Sequence, residues 1–283
     1  MITPEIARSA YRILEPVHAM VYFAAEPQEE YLALGLDGKV NPAHAYFPAR
    51  AAAMGKVTWQ VVHATFFNFS PFAAQLGIDG VWDLVEPKDL LAARFRGADR
   101  ALRRLGGPLV DDVKEAADLA REASLACTPY GRPLYAAHAG LDWPEEPHLA
   151  LWHAITLLRE YRGDGHLAAL VGAGLTGLEA AILHVAFAKT WSRKALQATR
   201  VYTDEQWDGA VASLAERGWL TPEETLTEDG HARREAIETQ TDVLSLAPWE
   251  RIGEEATLRL TELVRPLSRA IAESGVFGRG PKL

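Results

Sequence analysis

The side chains best suited to chemistry in this sequence lie between positions 153 and 166. They include two histidines, His153 and His166, and two carboxylates, Glu160 and Asp164. Imidazole and carboxylate groups together bind iron, zinc or manganese. On a helix, His153 and Glu160 share a face because they are seven residues apart, and we expect the chain to turn back near Gly163. The spacing matches none of the known zinc signatures, so we predict no metal and keep these four residues as the alternative metal site.

The charged residues of the same stretch allow two interpretations, which the sequence leaves open. In the first, Arg159, Glu160, Arg162 and Asp164 form an ion-pair network that fixes the local structure. In the second, Arg159 or Arg162 binds the carboxylate or phosphate of an anionic small molecule. The candidate ligand-binding residues are His153, Arg159, Glu160, Arg162, Asp164, His166, Arg50 and Tyr46.

Two apolar segments flank this charged stretch. Residues 149–158 and 167–187 are rich in Leu, Ala, Ile and Val and have helical rather than alternating patterns. Segments this hydrophobic are normally buried, and buried charge is tolerated when it is paired or functional. We therefore predict a polar site inside a helical core.

The composition limits the classes of protein to which the chain can belong. The 283 residues suffice for one large domain or two medium ones, with 48% hydrophobic and 24% charged residues. The net charge of −9 argues against broad, nonspecific nucleic-acid binding. A single cysteine, Cys127, excludes an internal disulfide and suits a reducing cytoplasm. No apolar run of membrane-spanning length and no signal-peptide pattern occur, so we expect a cytoplasmic protein without a membrane partner.

Two features predict how the chain is divided. The Gly-Gly-Pro sequence at 106–108 is the best internal boundary and gives modules of residues 1–107 and 108–283. In addition, residues 63–66 (HATF) match residues 184–187 (HVAF), and residues 79–83 (DGVWD) match residues 204–208 (DEQWD). The similar offsets predict a tandem duplication in which segments 43–83 and 164–208 superpose.

A winged-helix pattern occupies residues 178–245. Thr203 and Gly218 suit the two ends of a helix over 203–217. Residues 219–220 and 225–226 are the expected short strands of a wing. This arrangement resembles the recognition helix and wing of MarR-like winged-helix regulators. The predicted fold class is therefore all-α with a small β-wing, built from two tandem winged-helix-like modules. The amphipathic helix at 250–274 suits packing or a homodimer contact.

Four short motifs carry a further resemblance. Residues 46–50 (YFPAR), 67–71 (FNFSP), 159–166 (REYRGDGH) and 238–242 (ETQTD) together resemble an actinobacterial family whose members are labelled SalK-like or helix-turn-helix proteins. The resemblance covers most of the chain. It implies an all-helical body with winged-helix character and implies no particular reaction.

DNA is a candidate partner, but the negative charge of the expected recognition helix opposes DNA binding. The helix over 203–217 carries four acidic residues against Arg217 alone, and phosphates would repel its N-terminal end. The nearest basic cluster, and thus the candidate DNA-binding set, is Arg193, Lys194 and Arg200.

Two functional hypotheses from different classes follow. The first is a winged-helix-type regulatory protein that responds to a small molecule bound in the polar site. The alternative is a helical enzyme or metabolite-binding protein, metal-assisted or not, whose winged helix is only structural and does not bind DNA. No Gly-rich phosphate loop or nucleophile elbow is present, so catalytic residues and cofactor stay unassigned.

Overall fold

The computed structural model describes residues 2–188 and 192–278. The chain is 75% helical, and no strand occurs within these residues, which confirms the all-α prediction. Three short 3-10 helices accompany the α-helices, at Met20–Tyr22, Ala52–Met54 and Gly107–Val110. The α-helices are α1 Pro4–Ala19, α2 Ala25–Ala33, α3 Pro42–Ala51, α4 Trp59–Phe66, α5 Pro71–Ile78, α6 Val81–Leu84, α7 Pro87–Gly106, α8 Lys114–Ser124, α9 Pro133–Ala139, α10 Pro147–Gly172, α11 Gly177–Ala188, α12 Arg193–Arg200, α13 Asp204–Glu216, α14 Glu228–Leu244 and α15 Ala247–Glu273.

The long helix α10 is the centre of the fold. It packs against α1, α8, α9 and α14, and its side chains are buried on every face over most of its length. A helix that is apolar all round has to lie inside a core, and Trp152, Ile155 and Leu158 of α10 belong to the largest hydrophobic cluster. The sequence-based expectation of a polar site within a helical core therefore places that site on α10.

Helix α10 continues without a break through the two glycines of its charged stretch. The expected turn near Gly163 is therefore wrong. Gly165 serves close packing instead, because a Cβ at this position would lie 2.6 Å from Nη1 of Arg132. The Arg132 guanidinium donates one hydrogen bond to the carbonyl oxygen of Tyr161 and another, of 2.6 Å, to that of Leu244 at the end of α14.

The predicted modules 1–107 and 108–283 share a core. The largest cluster combines Val17 and Leu102 from the first with Leu158 and Leu260 from the second. Helix α1 also packs against α15. The boundary after Gly107 stays a prediction.

The tandem duplication is not supported. Helix α4 has 8 residues and its proposed counterpart α11 has 12, while α6 has 4 residues and α13 has 13. Helix α6 is short because Pro87 opens the next helix only three residues after Leu84, and a proline disfavours helical backbone in the residue before it.

The small β-wing is not supported either. Between α13 and α14 the chain makes a tight turn with one antiparallel bridge, Leu220–Leu226, and no strand. Pro222 lacks a backbone donor, and Glu224 has a positive φ of 59°. Both features limit pairing to a single bridge.

The terminal amphipathic helix is covered within the chain. In α15, Leu260, Val264, Leu267 and Ile271 are buried, and the helix packs against α1 and α8. Its apolar face is thus already occupied, so a homodimer through this face is not supported. Gly253, at φ 76° and ψ 174°, breaks the helical backbone near its start.

No single helix among the described residues combines the length and the apolar character that crossing a membrane requires. One pair of successive helices, α10 and α11, passes that test together, but the pair is bent by 102°.

Candidate functional site

A cavity of about 560 Å³ opens along the charged stretch of α10. Its walls come from α1, α3, α4, α10, α11, α12 and α14, together with residues 67–69 after α4. The four motifs 46–50, 67–71, 159–166 and 238–242 each contribute side chains to it. Segments far apart in the sequence therefore meet at one place.

The cavity has more basic than acidic side chains in its wall. The arginines are Arg8, Arg12, Arg50, Arg159, Arg162, Arg200 and Arg234, and the carboxylates are Glu15, Glu160, Asp164 and Glu238. An excess of arginine in a partly enclosed space produces a positive potential that attracts anions.

Glu160 is at the centre of the first set of contacts. It accepts hydrogen bonds from Arg50 Nη2 at 3.0 Å and from Arg159 Nη1 at 2.8 Å. Burial alone would raise the pKa of Glu160, but the charges of Arg159 and Arg50 hold it well below the usual value. Arg50 also donates to Tyr46 Oη at 3.0 Å and lies 4.5 Å above the ring of Phe66.

A second set of contacts joins α10 and α1 to α14. Arg162 Nη2 lies 3.3 Å from Glu238 and 3.2 Å from Asp242. Arg8 also pairs with Asp242, at 2.5 Å, and Arg234 pairs with Glu238 at 2.6 Å. Burial raises the pKa of Glu238, but the charges of Arg234 and Arg162 and the hydrogen bond from Arg234 are among the effects that lower it to about 2.

Asp164 belongs to neither set. Its Oδ2 accepts the backbone N–H groups of Leu134 at 3.1 Å and Tyr135 at 2.9 Å, which are in the first turn of α9. Burial raises the pKa of Asp164 to about 6, although the N–H of Tyr135 opposes the increase. The four residues Arg159, Glu160, Arg162 and Asp164 therefore do not form the single network that was one of the two interpretations.

The structure separates the residues of the alternative metal site. His153 lies two helical turns from Glu160, roughly 10 Å along the axis, and its ring faces Trp143 at 4.8 Å. His166 is hydrogen-bonded to Thr241 through Nδ1 at 2.8 Å. Among residues 2–188 and 192–278, no group of three or more His, Cys, Asp or Glu side chains is arranged to hold a metal ion. The fold therefore does not bring the four residues of that alternative together.

Of the eight candidate ligand-binding residues, His153 alone lies outside the cavity. The other seven line it: Tyr46, Arg50, Arg159, Glu160, Arg162, Asp164 and His166. Burial lowers the pKa of His153 and of His166 to about 4. Both imidazoles are therefore neutral at pH 7.

Arg200 has a position that the sequence did not suggest. It was a candidate DNA contact, but its side chain lines the cavity, with Cζ 4.5 Å above the ring of Phe69. Its Nη1 donates to Thr199 Oγ1 at 3.1 Å, and its buried Nε has no acceptor among the described residues. Burial lowers the pKa of Arg200. The four short motifs, each of which contributes side chains to this cavity, were the available signal for the pocket, but no pattern pointed to Arg200.

A family model described as a helix-turn-helix family matches residues 7–278. The chain belongs to this helix-turn-helix family. No curated protein and no solved structure matches the chain.

In this helix-turn-helix protein, α12 and α13 are joined by three residues, 201–203. A connection of this length is typical of a helix-turn-helix. Val201 adopts the left-handed conformation there, with φ 57° and ψ 59°. Thr203 caps α13 through a capping box with Gln206.

The other two candidate DNA-binding residues lie on the outer side of α12. Arg193 pairs with Asp208 at 2.6 Å, Glu224 at 3.0 Å and Asp204 at 3.3 Å, so neighbouring carboxylates neutralise its charge. Lys194 is exposed.

Proposed function

We propose that this protein is a helix-turn-helix regulator that responds to an anionic small molecule bound in the arginine-lined cavity. Family membership suggests a DNA-binding regulatory protein. The observation that carries the ligand proposal is the excess of arginine in one cavity: seven arginines line it, against four lining carboxylates and Asp242, which pairs with Arg8 and Arg162. Arginine binds carboxylate and phosphate groups through paired N–H donors.

The size of the cavity supports this proposal. Sites for drug-sized ligands have volumes of about 300–1,000 Å³, and this cavity has about 560 Å³. Its wall also has an apolar part, formed by Leu167, Leu170, Leu175, Leu183 and Leu196 together with aromatic residues. A ligand with an organic body and an anionic group would match both parts.

The position of the cavity supports a regulatory role. Arg50, Arg159 and Glu160 belong to the body of the fold, whereas His184 and Arg200 belong to α11 and α12. A ligand that binds more tightly to one arrangement of these elements than to another shifts the protein toward that arrangement. A small molecule bound in this cavity would contact both the body of the fold and α12 of the helix-turn-helix, which supports a regulatory role.

The surface charge of α13 favours the alternative hypothesis of a helical metabolite-binding protein or enzyme. Asp204, Glu205 and Asp208 are exposed, and the adjacent Arg193 is already ion-paired. The arginines of α7 offer no substitute surface, because each exposed one has a carboxylate partner: Arg96 with Glu30, Arg100 with Glu29 and Glu30, Arg103 with Asp99, and Arg104 with Glu26.

The proposal is tested by two measurements on the full chain. Isothermal titration with a panel of organic carboxylates and phosphates should identify anions that bind and neutral analogues that do not. Fluorescence anisotropy on genomic DNA fragments should show binding that the bound anion changes. Anion binding without DNA binding at any salt concentration would support the alternative, and the absence of any anion binding would refute the ligand proposal.

A further inference from the structure

Three guanidinium groups in the cavity have N–H donors without acceptors. Nε of Arg162, Nε of Arg200 and Nη1 of Arg234 are buried and have no hydrogen-bond partner among the described residues. All three side chains line the cavity. Buried donors are normally satisfied, since leaving one unpaired is costly.

These three arginines differ in how their charge is balanced. Arg162 pairs with Glu238 and Asp242, and Arg234 pairs with Glu238. Arg200 has no carboxylate partner within residues 2–188 and 192–278, and its one side-chain hydrogen bond there is to Thr199. Burial lowers its pKa, and the positive charge of Arg50 lowers it further. Of these three arginines, Arg200 alone is therefore without a compensating carboxylate among the described residues.

An aromatic wall lies beside this charge. Phe66, Phe67 and Phe69 line the cavity, and the Arg200 guanidinium lies 4.5 Å above the Phe69 ring. Phe67 has a positive φ of 55°, a strained conformation for an aromatic residue of the kind that clusters at ligand sites.

The same wall contacts both helices that precede α13. A Cβ on Gly177, the first residue of α11, would lie 1.8 Å from the carbonyl oxygen of Phe67. The backbone N–H of Ser70 donates to the carbonyl oxygen of Arg200, the last residue of α12, at 3.0 Å. A molecule bound against residues 66–69 and Arg200 would thus connect the body of the fold to the helix-turn-helix.

We propose that the ligand is a monoanionic aromatic or aliphatic carboxylic acid, whose carboxylate is held by Arg200 and whose body packs against Phe66, Phe67 and Phe69. This inference rests on the proposed function and specifies its ligand class. Among the arginines that line the cavity, Arg12 is exposed, whereas Arg200 is partly buried and has no carboxylate partner within the described residues. A single negative charge is therefore sufficient to balance the charge inside the cavity. The carboxylate would also accept the unpaired N–H of Arg200 in a charge-assisted hydrogen bond.

The test uses 1-naphthoate as probe, with 1-naphthamide as its neutral isostere and inorganic phosphate as a small anion without an apolar body. We expect the unmodified protein to bind 1-naphthoate at least about tenfold more tightly than 1-naphthamide, the usual effect of one charge-assisted hydrogen bond. Phosphate should bind more weakly than 1-naphthoate.

The matched variants are Arg200→Gln, Arg200→Lys and the control Lys194→Gln, which removes the same charge from the exposed side of α12. Arg200→Gln should lose the preference for 1-naphthoate over 1-naphthamide, Arg200→Lys should keep part of it, and Lys194→Gln should keep all of it.

The melting temperature without ligand gives a second measurement. That of Arg200→Gln should be no lower than that of Lys194→Gln, because the Arg200 substitution breaks no ion pair. A purely structural arginine would lower the melting temperature when replaced.

The outcomes separate the two proposals. If Arg200→Gln binds 1-naphthoate as the unmodified protein does, or if phosphate binds more tightly than 1-naphthoate, this inference is overturned and an anion-binding cavity remains. If the unmodified protein binds no anion, both this inference and the ligand part of the proposed function are overturned.

Discussion

Arg50 and Glu160 form a buried ion pair, with 3.0 Å between Nη2 and Oε2, that joins α3 to the central helix α10. The exposed fractions of the two side chains are 11% and 1%. Arg159 adds a second cation to the same carboxylate at 2.8 Å. Removal of one partner from a buried pair leaves the other partner's charge unbalanced.

Glu160→Gln should therefore be strongly destabilising. The buried Arg50 guanidinium and the partly exposed Arg159 guanidinium would lose their counter-charge, and we expect the free energy of unfolding to fall by about 3–5 kcal/mol. Urea denaturation gives this quantity directly. Asp118→Asn is the control, since Asp118 pairs with Lys114 on the surface, and exposed pairs contribute little. If both substitutions lower the free energy of unfolding by a similarly small amount, the Arg50–Glu160 pair contributes no more to stability than an exposed ion pair does.

Asp164 should make stability depend on pH in the acidic range. Its pKa of about 6 in the folded protein exceeds the ordinary 3.8, so the folded state holds the proton more tightly than the unfolded state does. This contribution stabilises the fold below pH 4 and is lost as the pH rises to about 6, with a magnitude on the order of 3 kcal/mol.

The measurement compares Asp164→Asn with the unmodified protein by urea denaturation from pH 4 to pH 8. The stability of the unmodified protein relative to Asp164→Asn should decrease between pH 4 and 6 and stay level above that. A relative stability that increases over the same range would mean that the carboxylate is held in its ionised form.

Gly177→Ala should disturb the aromatic wall of the cavity. The new Cβ would meet the backbone carbonyl of Phe67 at 1.8 Å, and a backbone atom cannot move away as the end of a side chain can. We expect a destabilisation of roughly 1–3 kcal/mol, as overpacking usually causes, together with weaker binding of 1-naphthoate.

Gly209→Ala is the matched control for that substitution. Gly209 lies inside α13, and nothing is within 4 Å of a Cβ placed there. Alanine is the better helix former, so this change should stabilise the protein by about 0.5–1 kcal/mol. Thermal denaturation of both variants checks the pair of predictions, and a stabilising Gly177→Ala would contradict the close packing of α11 on Phe67.

The acidic start of α13 gives a test of DNA binding. Asp204→Asn with Glu205→Gln should tighten binding to DNA and steepen its dependence on salt, because the change removes two carboxylates and releases Arg193 from one partner. Asp111→Asn with Asp112→Asn, an exposed acidic pair before α8, should leave binding nearly unchanged. If neither variant binds DNA at physiological salt, α13 has only a structural role.

The sequence was sufficient to predict the helical fold and most of the polar site on α10. Five of the seven candidate residues that line the cavity belong to one charged stretch of α10, and the other two, Tyr46 and Arg50, belong to the motif at 46–50 on α3. His153 was misplaced because sharing a face does not place two residues at the same height along the axis.

The errors came from contacts between distant parts of the chain. Gly163 and Gly165 suggested a turn, because the sequence does not show that Arg132 occupies the space beside Gly165. Likewise, the sequence suggests an exposed Arg200. Its side chain instead lines the cavity, because α12 packs against residues 66–71. The predictions of a wing and of a duplication relied on short sequence patterns, and such patterns do not determine strand pairing or helix length.

Arg132 restricts how the cavity can open. Its guanidinium connects the carbonyl oxygen of Tyr161 in α10 to that of Leu244 at the end of α14, and Asp164 fixes α9 to α10. Separating these helices would leave the buried Arg132 cation without its acceptors, so these hydrogen bonds oppose any separation of α9, α10 and α14. Helix α12 contacts residues 66–71 through the backbone hydrogen bond from Ser70 to Arg200 and through the Arg200 guanidinium above the Phe69 ring. Because α12 lines the cavity and is followed by α13 after only three residues, a displacement of α12 would change both the cavity and the position of α13.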